Sequence, residues 1–362
     1  MALAEGAVTP PARMKLVSTT LTGNNEDVIG EAIASVVDWV DVVLVVDTGV
    51  TDRSLEIARE IAKEKYVERK FPWVDDFSAA RNFALDAARE VGGDWALIID
   101  TDETIDRSGG DDIATVLANA TVPHFMVFDA TRTYSKPRFF KLPTASRFHG
   151  PTHEAYPTTE HDQRTLEGYV FHEKTKTPER LRAKFERDAR VLRAYTGKHP
   201  NQPRWFYYLG DALQSLGRTR EAITAYEACA ALRGWNEESS WACYRAAECW
   251  CVLGEHGRAV DACVTGLACH PGIGELAWLA GFASYRAGKM HDAVWWSRTA
   301  IALGCFRGCG AQVVRISFRN PTALWEGPYD VLRFALRALG DAAGADEAER
   351  LFAQALHKRT ST

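Results

Sequence analysis

The sequence predicts an α/β domain built on a mostly parallel sheet, followed by an all-α array of helical hairpins. Three observations carry this reading. Apolar strand-like runs alternate with amphipathic helical runs through the first hundred or so residues. In the second half, small residues recur at fixed offsets from three glycines. A chain of 362 residues, 46% hydrophobic and 25% charged, also suits two cores better than one.

Taken in order, Lys15–Thr20 forms a strand and Glu26–Val37 has apolar residues at helical spacing. Val42–Val46 is a β-branched and leucine run of the kind buried on both faces of a parallel sheet. Asp52–Lys63 follows as a helix, Tyr66–Glu68 as a short strand, Ser78–Glu90 as a helix and Trp95–Ile99 as another buried strand, which ends in Asp100-Thr101-Asp102-Glu103. Beyond Asp102 the pattern changes to shorter strands separated by loops, at His124–Thr133, Arg138–Leu142 and Gly168–Phe171. Thr177–Tyr195 is helical and rich in Arg and Lys. The expected divisions are a flexible leader at 1–13, the α/β domain at 14–176, a linking helix at 177–203 and helical repeats at 204–362.

From Arg204 onward the chain repeats. Alignment on the helix-helix turn superposes Gly217, Gly254 and Gly288, at intervals of 37 and 34 residues, which is the tetratricopeptide period. Ala222, Ala259 and Ala293 stand five residues later; Gly210, Ala247 and Gly281 stand seven residues earlier. Two antiparallel helices approach closely only at such small residues, and Phe206, Tyr226, Trp241, Trp278 and Trp295 are expected to fill the remaining core. A degenerate fourth unit is read at Tyr329–Leu356, with Ala348, Phe352 and Ala355 at corresponding spacing. Residues 304–327, with Gly304, Gly308, Gly310 and Pro321, interrupt the array.

Composition excludes several classes. A formal net charge of −5 and no conspicuous basic patch give no attraction for nucleic acid or acidic lipid. Residues 1–13 lack the cationic start and apolar run of a signal peptide, and no stretch approaches 18 uninterrupted apolar residues, so no membrane span and a cytoplasmic location are expected. All eight cysteines lie between Cys229 and Cys309; Cys249-x-Cys251 and Cys305-x3-Cys309 lack the spacing of a structural zinc site, and buried free thiols are the reading preferred.

Ligands of open parallel sheets bind beyond the carboxyl ends of the strands. Three acidic features fall there: Asn25-Glu26 after the first strand, Asp47 directly after the second, and Asp100-x-Asp102 after the fourth. There is no G-x-G-x-x-G after the first strand and no G-x4-G-K-[ST], which disfavours a dinucleotide fold and a P-loop. The placement suits a nucleotide diphosphate sugar, whose leaving-group charge a carboxylate-held divalent cation can neutralise. On its own the D-x-D triplet is common on surfaces and helix starts.

The runs Val45-Val46-Asp47-Thr48-Gly49-Val50-Thr51-Asp52, Phe71-Pro72-Trp73-Val74-Asp75-Asp76-Phe77-Ser78-Ala79-Ala80-Arg81-Asn82 and Asp94-Trp95 through Asp100-Thr101-Asp102-Glu103 resemble family 2 glycosyltransferases of the GT-A fold. The subgroup with C-terminal tetratricopeptide repeats is the nearest likeness, over roughly residues 14–300. The resemblance implies that Thr22, Asn25 and Glu26 line the base and ribose pocket, that Asp47 binds base or ribose, and that Arg81 contacts the nucleotide. It places Asp100, followed by Thr101, against the ribose or sugar and makes Asp102 the ligand of a divalent metal, manganese or magnesium. Each residue also has a plainer role: Asp47 and Asp52 as helix caps, Arg81 paired with Asp76, Asn25-Glu26 as a helix start. The usual Lys-Asn-Glu-Glu is Asn24-Asn25-Glu26-Asp27 here, and the customary serine of Thr-Gly-Ser-Thr-Asp is Val50; both departures bear on the base recognised.

A second cluster, Arg147-Phe148-His149-Gly150-Pro151-Thr152-His153-Glu154 and Val170-Phe171-His172-Glu173, resembles the family's acceptor and metal region. From it we expect His172 as a metal ligand and Glu154 as catalytic base, with His153 an alternative for either role. The expected activity is hexosyl transfer, inverting by the resemblance, from a UDP- or GDP-linked sugar to a peptide or small-molecule acceptor. The repeats are candidates for peptide binding or homodimerisation. The alternative is a peptide-binding scaffold with a catalytically inactive α/β domain; a sugar nucleotidyltransferase is disfavoured because residues 14–30 hold only Gly23, Gly30 and Lys15 for a phosphate loop.

Overall fold

The structure, a computed structural model, describes residues 13–361 apart from 108, 110, 111, 160 and 305–318. It divides into two compact units, Met1–Lys176 and Thr177–Thr362. The leader, up to residue 12, lies outside the described residues, as do Cys305, Gly308, Cys309 and Gly310 of the repeat interruption.

The first unit contains strands β1 (Leu16–Thr22), β2 (Val42–Asp47), β3 (Tyr66–Lys70), β4 (Trp95–Ile98), β5 (Glu103–Asp106), β6 (His124–Asp129), β7 (Ser135–Lys141) and β8 (Gln163–Glu173). With them stand helices α1 (Ile29–Ala34), α2 (Ser54–Ala62), α3 (Phe77–Glu90) and α4 (Ile113–Ala118). The strands form one sheet in the order β3-β2-β1-β4-β7-β6-β8-β5. β3, β2, β1 and β4 are mutually parallel, as the continuous apolar runs of β2 and β4 require, because such strands are buried on both faces. Val43, Val45 and Leu97 point to one face, against Ile29, Ile33 and Ala58; Val42, Leu44, Ala96 and Ile98 point to the other, against Leu85 and Ala88 of α3.

Two expected elements change. The helix read at Glu26–Val37 is only Ile29–Ala34, and the backbone N–H groups of Asn25 and Glu26 before it donate to Ser54 Oγ and Asp52 Oδ2, at 2.8 and 3.1 Å. The strand read at Gly168–Phe171 extends over the whole of β8, and β5, four residues with no apolar alternation long enough to detect, completes the sheet beside it.

The second unit is helical throughout its described elements. α5 (Pro178–Lys198) leads into α6 (Pro203–Ser215), α7 (Thr219–Leu232), α8 (Asn236–Val252), α9 (His256–Cys269), α10 (Gly274–Arg286) and α11 (Met290–Leu303). Then follow the short α12 (Pro321–Leu324), α13 (Gly327–Ala338) and α14 (Ala342–Thr360). The turn glycines Gly217, Gly254 and Gly288 have φ of 72°, 75° and 75°, left-handed values that explain the choice of glycine. Gly340, with φ 82°, makes the same turn between α13 and α14, and Ala345 five residues on is fully buried, so the degenerate fourth unit is a hairpin of the same design. At Gly210 a Cβ would stand 2.5 Å from the Tyr226 ring, which is why a small residue recurs there.

Tyr226 and Trp241 are core residues as expected, but Trp295 is not: it is 59% exposed. The buried stripe of α11 runs through Ala293, Ser297 and Ala300 at helical spacing, which turns position 295 outward. The six described cysteines are free thiols. Burial pushes the Cys243 thiol up to about 12 and those of Cys249 and Cys251 to about 11, keeping them protonated at neutral pH. Among the described residues no helix is long and apolar enough to cross a membrane.

Candidate active site

The carboxyl ends of β1, β2 and β4 lie along one edge, since the register pairs Thr22 with Asp47 and Thr19 with Ile98. Asp47 and Asp100 thus end strands that flank β1, about 10 Å apart at the usual strand spacing. Thr22 is buried; its hydroxyl donates to the Gly23 carbonyl, and its own carbonyl accepts from Thr48 N and Oγ1 at 2.9 and 2.8 Å. Asp47 Oδ1 accepts from the N–H groups of Gly49 and Val50, both at 2.8 Å, so the carboxylate shapes the loop that follows it.

That loop is fastened to the one after β1. The Asn24 amide bridges Thr51 Oγ1 and N, and Glu26 Oε2 accepts from Arg53 N at 3.2 Å. Asp52 Oδ1 accepts from Ser54 N and Oγ; burial raises this carboxyl's pKa, but the hydrogen bonds from Ser54 and Glu26 outweigh it and the net shift is downward. Asn24, in place of the lysine of the pattern this run resembles, closes the junction with its side chain.

α3 starts at Asp76, whose Oδ1 caps Ala79 N at 2.9 Å, and it presents Arg81 and Asn82 to the same region. Arg81, 13% exposed, does not pair with Asp76. Its Nη2 donates to Asp100 Oδ1 at 2.8 Å and its Nε to Glu154 Oε1. Asn82 grips the backbone of Phe148, Nδ2 to the carbonyl at 3.0 Å and Oδ1 from the N–H at 2.9 Å. With the His149–Ala155 bridge and the Phe77 N–H on the Pro151 carbonyl, this fixes the loop that carries His153 and Glu154. His153 sits there in a left-handed conformation, φ 51°.

Behind Asp100 lies a second layer of charge. Glu103, 2% exposed, takes both oxygens to Arg138 Nη2 at 2.5 Å, and Oε1 also accepts from Lys136 at 3.0 Å; Lys136 reaches Glu173 as well. Burial would push Asp100 up, but Arg81, Arg138 and Lys136 hold it well below the usual carboxylate range. Glu103 is raised by burial and by Asp100, against the pull of Arg138 and Lys136. Burial works against the Arg81 guanidinium too, yet Asp100 and Glu154 raise its pKa further.

Asp102 stands just before β5. Its carbonyl accepts from Lys174 N at 2.8 Å, and its carboxylate is ion-paired with Lys176. His172 is exposed and pairs with Thr104, a diagonal from Asp102, where Cα atoms stand roughly 7–8 Å apart. Thr101 is half-buried between the two aspartates. Among the described residues no three His, Cys, Asp or Glu side chains converge as a group able to hold a metal.

The sequence residues therefore fall into two groups along the carboxyl edge of the sheet: the loop junction of Thr22, Asn25, Glu26 and Asp47, and the charge cluster of Arg81, Asp100 and Glu154, with Asp102 beyond it. Asn82, Glu103, Lys136, Arg138 and Lys176 were not anticipated as site residues. Asn82 and Glu103 carried a signal, as the last residues of the runs ending Arg81-Asn82 and Asp102-Glu103. A cavity of about 410 Å³ lined by Glu186, Arg190, Arg193 and Arg218 lies in the helical unit and shares no residue with either group.

Residues 20–176 match the family model described as glycosyl transferase family 2. This segment is a family 2 glycosyltransferase domain. The chain is 35% identical over 151 residues to a TPR repeat-containing protein of Synechococcus elongatus, a match covering 40% of this chain and 36% of that one. It is 26% identical over 221 residues to the SPbeta prophage-derived glycosyltransferase SunS of Bacillus subtilis, covering 55% and 49%. The chain thus spans about a third to a half of the length of these curated relatives. Among solved structures, a crystal structure of MamA aligns with 52% of this chain and 99% of its own at 16% identity and a TM-score of 0.41.

The glycosyltransferase domain has a donor set suited to a hard divalent cation. Asp102 offers a partly exposed carboxylate, 23% accessible, already facing a positive charge. Magnesium and manganese sites of this kind take one or two protein carboxylates and complete the shell with substrate phosphate and water, so a single carboxylate fits.

Proposed function

We propose that the chain transfers a sugar from a nucleotide diphosphate sugar, UDP- or GDP-linked, to a peptide or small-molecule acceptor, with manganese or magnesium assisting. One observation carries the reading: Arg81 joins Asp100, two residues before Asp102 at a strand end, to Glu154 on a loop remote in sequence. When bound, the cation would neutralise the departing diphosphate.

The chain's own residues divide the remaining work. Thr22, Asn25, Glu26 and Asp47 stand where base and ribose enter, on loops whose shape is fixed before the ligand arrives, which lowers the ordering cost of binding. Asp100 and Thr101 face the ribose or sugar. Asp102 would hold the cation, and His172 is within a diagonal step of Asp102. Glu154 takes the acceptor's proton through the carboxylate that Arg81 orients; His153, on the same strained loop, is the other candidate. Direct displacement by an acceptor activated in this way inverts the anomeric carbon.

Calorimetric titration with UDP and GDP in the presence of manganese tests the reading. One of the two should bind, and Asp102→Ala should lose the manganese-dependent part of that binding together with donor turnover. Failure of both nucleotides to bind would leave the domain as a support for a peptide-binding array. Wild-type turnover by Asp102→Ala with manganese would remove the assigned mechanism.

A further inference from the structure

We propose that Lys176 is the cation that receives the donor's diphosphate: its ammonium neutralises Asp102 in the ligand-free chain and passes to the diphosphate when a divalent cation takes the Asp102 carboxylate. The inference rests on the function proposed above.

The neighbouring positive charges are already committed. Arg81 holds Asp100 and Glu154, Arg138 holds Glu103, Lys136 holds Glu103 and Glu173, and Lys174 pairs with Glu31 at 2.8 Å. Lys176 holds Asp102 alone by an ion pair, and that pair is open to solvent, with side chains 34% and 23% exposed. It also helps to hold Glu173 below its ordinary range, after burial and Lys136. A partly exposed pair costs little to break, whereas the buried Arg138–Glu103 pair does not rearrange cheaply.

The charge count gives the exchange its direction. The carboxylates Asp100, Asp102, Glu103, Glu154 and Glu173 outnumber the cations Arg81, Lys136, Arg138 and Lys176 by one, and the Lys174–Glu31 pair leaves that balance unchanged, so this group of charges is net negative before any ligand enters. A polyanionic diphosphate is repelled from such a site. A divalent cation on Asp102 reverses the sign and releases the ammonium, whose three N–H donors on a flexible stem suit phosphate oxygens. Lys176 and the metal are therefore rivals for Asp102 and partners on the diphosphate. The backbone bond from Lys174 N to the Asp102 carbonyl keeps the lysine within reach throughout.

The rivalry and the partnership predict opposite effects of one substitution. In Lys176→Ala, manganese alone should bind severalfold more tightly, measured by calorimetry without nucleotide, because no ammonium competes. At saturating manganese the same variant should bind UDP or GDP at least tenfold more weakly, and Lys176→Arg should restore most of that loss. A lysine serving only the fold would move both affinities the same way or neither, so absence of either effect overturns the inference. If the wild-type chain binds no nucleotide with manganese, the proposed function fails first and this inference with it. If the wild type binds and Lys176→Ala binds equally, only the role of Lys176 is lost. Lys176 is partly exposed, and an unchanged melting temperature in the variant confirms that the affinities report on the site.

Discussion

Arg81 Nη2 lies 2.8 Å from Asp100 Oδ1 while its Nε is bound to Glu154, so one guanidinium joins a strand end to a loop far along the chain. Loss of that guanidinium has a pH signature. Asp100 titrates below its unfolded value, so its pairing contributes fully above about pH 4 and is lost as pH falls through the depressed folded value. Arg81→Met should cost about 2–3 kcal/mol in urea unfolding at pH 7, the low end for a broken buried pair because Asp100 is 29% exposed. The difference from wild type should narrow as pH falls below about 4, where the Asp100 carboxyl, still beside Arg138 and Lys136, takes up its proton. A penalty that does not change with pH would show that Asp100 is not the group responsible.

Asn82 acts on the Glu154 loop through two hydrogen bonds to one backbone residue, Phe148. Asn82→Ala should cost about 1–3 kcal/mol through the two unsatisfied backbone groups. Amide exchange should quicken over residues 148–155 and donor turnover should fall, with nucleotide affinity nearly intact. Unchanged exchange in that loop would argue against the clamp.

In the helical unit, Glu275 at the start of α10 is fully buried and held by Arg319 at 2.5 and 2.7 Å. Arg319→Met leaves that carboxylate buried without its partner and should destabilise the protein by about 3–5 kcal/mol. The double variant Glu275→Leu with Arg319→Met should recover most of the loss in thermal unfolding, since removing both charges removes the desolvation penalty.

Gly210 and Gly217 should respond to alanine for different reasons. At Gly210 the new methyl meets the Tyr226 ring at 2.5 Å, and Tyr226 is itself fixed by its hydroxyl on Asp211 at 2.6 Å, so overpacking should cost about 1–3 kcal/mol. At Gly217 nothing lies within 4 Å and only the left-handed φ of 72° is strained, a cost of about 1 kcal/mol. Paired thermal melts that rank Gly217→Ala as the more damaging would reverse this assignment.

The sequence by itself determined the two architectures and the strand ends, because both are written in local period. Val42–Val46 is apolar throughout since both faces are covered, and Gly217, Gly254 and Gly288 recur because each hairpin needs the same left-handed turn. Asp47, Asp100 and Asp102 could be placed at the carboxyl edge of the sheet for the same reason, as each lies at or shortly beyond the end of a recognisable strand. Tertiary structure alone decided which charges meet. Arg81 chose Asp100 and Glu154 over nearby Asp76, whose carboxylate caps its own helix. Glu103 meets Arg138 and Lys136 although β5 and β7 stand three places apart in the strand order, a meeting that no local pattern encodes. Trp295 turned outward because the buried stripe of α11 is set by its neighbours rather than by residue type. Ion pairing depends on distances between segments remote in sequence, and no periodicity within a segment encodes it.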